Sequence, residues 1–281
     1  MQSELKTGIS RACRVLAISY SSLHYRSKKN DSNLIEALSQ KAKDFPREGF
    51  RKAFDRLRNE GLKDNHKRVH RVYKKMGLCL RRKHKKRLPA RVKVPIVIPK
   101  QAHLSWSIDF MSDSITNGRK FRAFNVIDDY NREVLFIEND YSIKSSRVIW
   151  VLNHLVNKHQ IPKEIRMDNG PELIAKRLQL WSKVNDIKLQ YIQPGKPTQN
   201  SLIERFNRTY RESVLDSYLF DNIDQVREQT NLFIKDYNEV RPHDALGGQP
   251  PVLWKYGQQT SAQISAFPDH ITTINNNNIK N

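Results

Sequence analysis

A mixed α/β fold, a sheet with helices on both faces behind a small helical N-terminal region, is predicted by three observations. From residue 103 onward, segments of strand and helix character follow in the order βββαβαβα, a succession that layers helices on a sheet. Asn117-Gly118 between the first two strand segments is a strong hairpin signal, so the sheet opens with antiparallel strands. The residues before 81 are helical in period and carry helix-turn-helix grammar.

Residues 1–30 form the helix-turn-helix-like segment. Ile9, Ala12, Cys13 and Leu16 make an i, i+3, i+4, i+7 stripe, and Ser19 or Ser21 caps a second short helix. Ala17 stands where a glycine often makes the turn, and an ordinary helical hairpin fits the same pattern. Residues 31–80 read as a helical DNA-binding domain. Leu34, Leu38, Phe50, Phe54, Leu57 and Leu62 mark its apolar period, and Gly49, Gly61 and Gly77 stand at helix ends. Residues 66–75 make a basic helix whose Lys67, Arg68 and Arg71 are candidates to face phosphates. His66 and His70, at i and i+4, invite a zinc reading, but zinc needs four ligands and Cys79 has no cysteine partner nearby. Solvated or phosphate-facing histidines are the better reading.

Residues 81–100 are a basic linker broken by Pro89, Pro95 and Pro99. Its Arg81, Arg82, Lys83, Lys85, Lys86 and Arg87 are candidates to run along DNA. The catalytic core is expected over residues 101–218. Strands are predicted over 104–111, 121–127 and 134–138, and a helix over 145–159 turns Val148, Val151, Leu152, Leu155 and Val156 to one side. A strand over 164–167 delivers Asp168, Asn169-Gly170-Pro171 turns the chain into a helix over 172–185, and 188–192 is the next strand. A long helix follows over 199–217, with Glu204 in its second turn. This order fits an RNase H-like fold. Residues 219–257 form a C-terminal helical extension, with a helix over 223–240, and the polar, low-complexity residues 258–281 read as a disordered tail.

Charge narrows the partners. A net charge of +21 and a pI near 10.0 draw polyanions. Residues 61–93 hold 14 Lys or Arg against the single acid Asp64, which is +13 of the +21. Residues 81–87 have no apolar face with which to lie on a membrane, and no apolar run approaches the ~18 residues of a span. Cys13 and Cys79 form no framework, which suits a reducing compartment. The expectation is a cytoplasmic protein that binds DNA and no membrane.

Three carboxylates carry the chemical expectation. Asp109 lies within the apolar strand segment Leu-Ser-Trp106-Ser-Ile-Asp109-Phe-Met, with 58 residues between it and Asp168 and 35 between Asp168 and Glu204. Phosphodiester chemistry needs an attacking oxygen activated and a leaving oxygen stabilised, and two divalent cations about 3.5–4 Å apart do both. Three acids suffice for two hard cations when one of them bridges, and Asp109 in mid-sheet is the natural bridge. Any single acid is ordinarily a surface charge; the apolar settings of Asp109 and of Glu204, beside Leu202, Ile203 and Phe206, set these apart. Trp106 reads as core, and Asp128 and Asp129 read as turn residues, one of them a candidate electrostatic neighbour of the site. Tyr191, Gln193 and Lys196 lie on a loop before the catalytic helix that either closes on DNA or simply connects.

The residues resemble the IS3 family of insertion-sequence transposases, in their second-frame (OrfB) part with a retroviral integrase-type DDE core. The resemblance rests on Trp106-x-x-Asp109, Asp168-Asn-Gly, Pro-Gly195-Lys-Pro-x-x-Asn200-x-x-Ile-Glu204-Arg-Phe-Asn with Arg211 seven positions on, and Tyr237-Asn-x-x-Arg-Pro-His243-x-Ala-Leu-Gly. It runs from about residue 6 to 255. It implies that Asp109, Asp168 and Glu204 are the catalytic, metal-holding triad, that Mg²⁺ or Mn²⁺ is the cofactor, and that Arg211 contacts terminal DNA. It implies 3′-end cleavage by water followed by attack of the freed 3′-hydroxyl on another phosphodiester, on terminal inverted repeats and target, by a homo-oligomer on DNA. Relatives usually act after fusion to an upstream-frame (OrfA) protein, and no sustained heptad of such a frame is present here. Two other readings share the fold: a silent DNA-binding protein without turnover, and an RNase H or resolvase type nuclease. The nuclease would require neither the basic N-terminal region nor the Tyr237-to-His243 segment.

Overall fold

The computed structural model describes residues 9–24, 30–80, 99–193 and 200–257. The basic run Arg81, Arg82, Lys83, Lys85, Lys86 and Arg87, Lys196, and the tail over 258–281 lie outside the described residues.

Two short helices come first, α1 (Ile9–Val15) and α2 (Tyr20–Leu23). Ser19 caps α2 by accepting the Ser22 N–H, and Ala17 makes the turn with φ of 52°, in the left-handed region that favours glycine. Three helices follow, α3 (Ser32–Asp44), α4 (Phe50–Asn59) and α5 (His66–Lys75). They bury Leu34, Leu38, Phe54, Leu57, Val69 and Tyr73 against one another. Gly61 and Gly77 end α4 and α5 in left-handed conformations, with φ of 97° and 70°. His66 and His70 pack on the Phe50 ring, with centroids 5.1 and 4.6 Å away, so aromatic packing accounts for their spacing.

The sheet has five strands, β1 (Ser105–Ser114), β2 (Lys120–Asp128), β3 (Val134–Asp140), β4 (Glu164–Met167) and β5 (Lys188–Tyr191), in the order β3-β2-β1-β4-β5. β1, β2 and β3 are antiparallel neighbours, whereas β4 and β5 run parallel to β1, which is therefore the central strand. The Asn117-Gly118 turn is present, with Gly118 at φ of 81°, and its ladder extends β1 to Ser114 opposite Lys120.

Alternation along the strands divides the core in two. Trp106, Ile108, Phe124 and Val126 face α6 (Ser145–Lys158) and α7 (Lys176–Val184), where Val148, Val151, Leu152, Leu155 and Leu178 are buried. Met111, Phe121, Ala123 and Ile127 face α8 (Ser201–Tyr210) and α9 (Ile223–Lys235), where Ile203, Phe206, Tyr210 and Phe233 are buried. Helices thus cover both faces, and Trp106 is core, fully buried.

Three helices differ from expectation. α7 begins at Lys176, not near 172, because Glu172 is drawn into an ion pair with Arg122 of β2 and the chain turns on Gly170 before it winds. The helix expected over 199–217 is α-helical only from Ser201 to Tyr210 and widens into a π-helical turn, Arg211–Leu215. The helix expected over 223–240 likewise widens at Asp236–Val240, where Asp236 is held by Arg56 of α4.

Candidate active site

Asp109 sits midway along the central strand, on the same side as Met111 and opposite Ile108, and so points toward α8. It is half-buried. Its Oδ1 accepts the Phe110 N–H at 2.9 Å and its Oδ2 accepts Nδ2 of Asn207 at 2.7 Å. Burial pushes its carboxyl up to about 6, and the negative charges of Asp168 and Glu204 push in the same direction against those two donors. Asp168 and Glu204 are therefore each within electrostatic reach of Asp109.

Asp168 follows β4, the parallel neighbour of β1. Its Oδ1 accepts the Gly170 N–H at 3.1 Å, and a Cβ on Gly170 would lie 3.1 Å from that same oxygen. A side chain here would crowd the carboxylate, which glycine leaves unpressed.

Glu204 corrects the sequence argument. It lies in the first turn of α8, not the second, and is exposed rather than on the apolar face. Ile203, Phe206 and Tyr210 take that face at i, i+3 and i+7, which leaves Glu204 and Asn207, three residues apart, on a neighbouring one. Among the described residues, no three His, Cys, Asp or Glu side chains surround one point closely enough to hold an ion as they stand.

Two functional candidates were missed. Asn207 joins α8 to Asp109, and its Oδ1 accepts Nδ2 of Asn125 at 2.7 Å. Asn125 is fully buried on β2, directly opposite Asp109 in the ladder. An amide alternating with Phe124 and Val126 in a strand, and another three residues after Glu204, were the available signals.

Asp129 opens the turn after β2, as expected, whereas Asp128 is the last residue of that strand, paired with Trp106 of β1, and both are buried. Asp128 accepts the N–H groups of His103 (2.6 Å) and Tyr130 (2.8 Å), and burial pushes it up to about 6. Asp129 accepts from Ser105 and Ser107 at 2.7 and 2.5 Å and pairs with Arg166 of β4 at 3.3 Å. The pair fastens the starts of β1 and β4 together.

The candidate DNA contacts are differently disposed. Lys67 is exposed. Arg68 is paired with Asp31 (3.1 Å) and Asp64 (2.7 Å), and Arg71 with Asp31 (2.8 Å), so their charge is partly neutralised within the chain. Arg211 binds Asp113 at 3.2 Å and the Ser112 carbonyl at 2.9 Å. Tyr191 donates to the Leu173 carbonyl at 3.1 Å, a structural contact.

Comparison with known proteins agrees with this architecture. Integrase core domain models match residues 99–197 and 185–251, and an HTH-like domain model matches residues 28–86. The chain is similar to a 31.7 kDa protein of insertion element IS407 from Burkholderia multivorans, 35% identical over 258 residues, covering 91% of this chain and 93% of the relative. A 39.2 kDa protein of insertion element IS476 from Xanthomonas euvesicatoria is 30% identical over 260 residues, 92% of this chain and 75% of the relative. The low calcium response locus protein T of Yersinia pestis is 45% identical over 127 residues, 45% of this chain and 91% of that protein. Among the described residues, no helix is long and apolar enough to cross a membrane. An integrase core behind an HTH-like region, with insertion-element relatives aligned along nearly its whole length, means that the chain belongs to the insertion-element transposases of the integrase type, polynucleotidyl transferases that act on DNA.

Proposed function

We propose that Asp109, Asp168 and Glu204 are the catalytic residues and jointly hold Mg²⁺ or Mn²⁺ for 3′-end cleavage and strand transfer on the terminal inverted repeats of an insertion sequence. The observation that carries this reading is the state of Asp109: a half-buried carboxyl pushed up by burial and by two further carboxylates. Such a set of hard oxygen donors is deficient in positive charge, and divalent magnesium or manganese fits it. When bound, the metal supplies stabilisation of the charge on attacking and leaving oxygens.

The chain's own groups divide the remaining work. Asp109, on the central strand, is the fixed anchor; Asp168 is held on its turn by the Gly170 N–H; Glu204 is carried by α8, which Asn207 ties to Asp109. The first step adds water to a phosphorus and releases the 3′-oxygen. In the second, that 3′-hydroxyl attacks the phosphorus of another phosphodiester and displaces that strand's own 3′-oxygen, which leaves as a hydroxyl with the proton given up, and no bond to the enzyme is formed. In the IS3-type reading one element end is joined to the other, giving a circle that later inserts. The proposed partners are a second copy of the chain on DNA and an upstream-frame (OrfA) protein. The proposed division is a helix-turn-helix-like segment (1–30), a helical DNA-binding domain (31–80), a basic linker (81–100), the core (101–218), a helical extension (219–257) and a tail (258–281). Arg211, Lys196, Lys67, Arg68, Arg71 and the run from Arg81 to Arg87 are the proposed DNA contacts.

The experiment is a strand-transfer assay on labelled terminal repeats in Mg²⁺ with wild type and Asp109→Asn. Joined products from wild type alone, with DNA binding retained by the variant, are expected. Nicked products only would favour a nuclease, no products a silent DNA-binding protein, and equal loss of binding in Asp109→Asn would remove Asp109 from the role given to it.

A further inference from the structure

Four basic side chains, Lys52 of α4, Arg132 of the β2–β3 turn, Arg205 of α8 and Arg241 after α9, line one cavity of about 90 Å³. Asp244 is the one acid among its described lining residues. A water requires only about 10–15 Å³ of such space, so a phosphate group with part of its hydration fits.

The four cations are not equivalent. Arg241 is neutralised from behind by Glu48 at 2.6 Å, and Lys52 donates to the Pro242 carbonyl at 3.0 Å. Arg132 and Arg205 have no side-chain hydrogen bond or ion pair among the described residues. Arg132 is half-buried, and burial together with the charge of Arg205 pushes its guanidinium below the usual range. Burial and the charge of Arg241 do the same to the Lys52 ammonium. Arg132, partly desolvated and repelled by Arg205 with no acid paired to it, is costly to hold charged, and an anion between the two relieves that cost; Glu48 and Asp244 already favour the charge on Lys52.

We propose that this cavity binds one phosphate of the DNA backbone. Arginine guanidinium groups suit phosphate oxygens, and a chain of net charge +21 brings a polyanion to them first. Arg205 is the immediate neighbour of Glu204 on α8. A phosphate seated there fixes a DNA strand against the helix that carries Glu204, and ties together the helical region, the core and the segment after α9. Binding here needs neither metal nor turnover, so this assignment and the carboxylate reading stand or fall separately.

The test measures the binding of a labelled duplex of arbitrary sequence to the full chain over a salt series, without divalent metal. Removing one phosphate-binding cation site flattens the log–log slope by about 0.9. Arg132→Gln with Arg205→Gln is expected to flatten it by that amount, and Arg132→Lys with Arg205→Lys to restore it. Arg205→Gln alone, at an exposed position, carries the test if the double variant does not fold. Arg177→Gln with Lys183→Gln, which removes two charges from exposed positions on α7, is expected to leave the slope unchanged. An unchanged slope in the cavity variants, or equal flattening in the α7 variant, overturns the proposal. Thermal unfolding in inorganic phosphate, at matched ionic strength against chloride, distinguishes the source. Stabilisation of wild type but not of the cavity variant, with no change of slope, would assign the cavity to a free anion and overturn its assignment to DNA.

Discussion

Asn207 donates to Oδ2 of Asp109 at 2.7 Å while accepting from Asn125 at the same distance, so the central acid of the site is oriented by an amide on the helix that also carries Glu204. A carboxylate restrained in this way meets a cation with its geometry already set. Asn207→Leu removes the donor and leaves Asn125 buried without its acceptor. Loss of an orienting partner of this kind typically costs about 10–100-fold in metal affinity or activity. The expected result is a Mn²⁺ activation curve shifted to higher concentration by that factor, with DNA affinity unchanged; an unshifted curve would mean that the amide only packs.

Gly170 tests Asp168 through its backbone. A methyl group at Gly170 would lie 3.1 Å from Asp168 Oδ1, a tight contact that the carboxylate meets by giving a few tenths of an ångström. Displacement of a reacting or ligating group by about 1 Å can cost on the order of 100-fold in rate. Gly170→Ala, with a displacement smaller than that, is therefore expected to lower strand transfer by roughly several-fold while the unfolding midpoint hardly moves. Wild-type rates from a normally folded variant would contradict the role given to Asp168.

These two relationships show where sequence was informative. Strand β4 was readable to the residue, Glu164–Met167, because Ile165 and Met167 alternate with charged residues over a short stretch between Pro162 and Asn169-Gly170. The layering of helices on both faces followed from the order of the elements. Contacts made across the fold were not readable. Arg122 withdraws Glu172 from α7 from across the sheet, and Ser107 and Arg166 make a buried group of Asp129, which by composition belongs to a solvated turn. Glu204 was assigned to an apolar face because three apolar neighbours surround it in sequence, although helical geometry gives that face to Ile203 and Phe206. Asn207 stands three residues after Glu204, but that spacing does not name its partner, since Asp109 lies far away in the chain.

Arg56 joins the helical region to the core. It is 1% exposed, donates to Glu48 at 2.8 and 3.0 Å and to Asp236 at 2.8 and 2.9 Å, and lies 3.6 Å over the Phe45 ring. Both acids would be left with poor compensation in Arg56→Ala, although Arg241 still reaches Glu48. Breaking a buried pair from one side costs about 3–5 kcal/mol. The variant is expected to lose that amount in urea unfolding. A loss below about 1 kcal/mol, the scale of an exposed pair, would show that the junction is wet.

His243 sets an acid limit on the same junction. Burial holds its imidazole down at about 3, and Lys52, Arg241 and Arg132 all oppose a positive charge there; the Tyr237 carbonyl, 3.2 Å from Nε2, acts the other way. Because the folded value lies below the ordinary 6.5, the unfolded chain binds the proton first as pH falls. This contribution to stability is complete above 6.5 and is lost progressively as pH falls toward 3. Asp109 and Asp128, both raised to about 6, work in the opposite sense, gaining stability as pH falls through that value. The wild-type profile is therefore a sum, and only the difference from His243→Gln, which keeps a donor for the Tyr237 carbonyl, isolates the histidine. At about 1.4 kcal/mol per pH unit, wild type should lose roughly 2 kcal/mol more than the variant between about pH 6.5 and 5. Parallel urea-unfolding profiles over that interval would mean that His243 takes up its proton without leaving the fold.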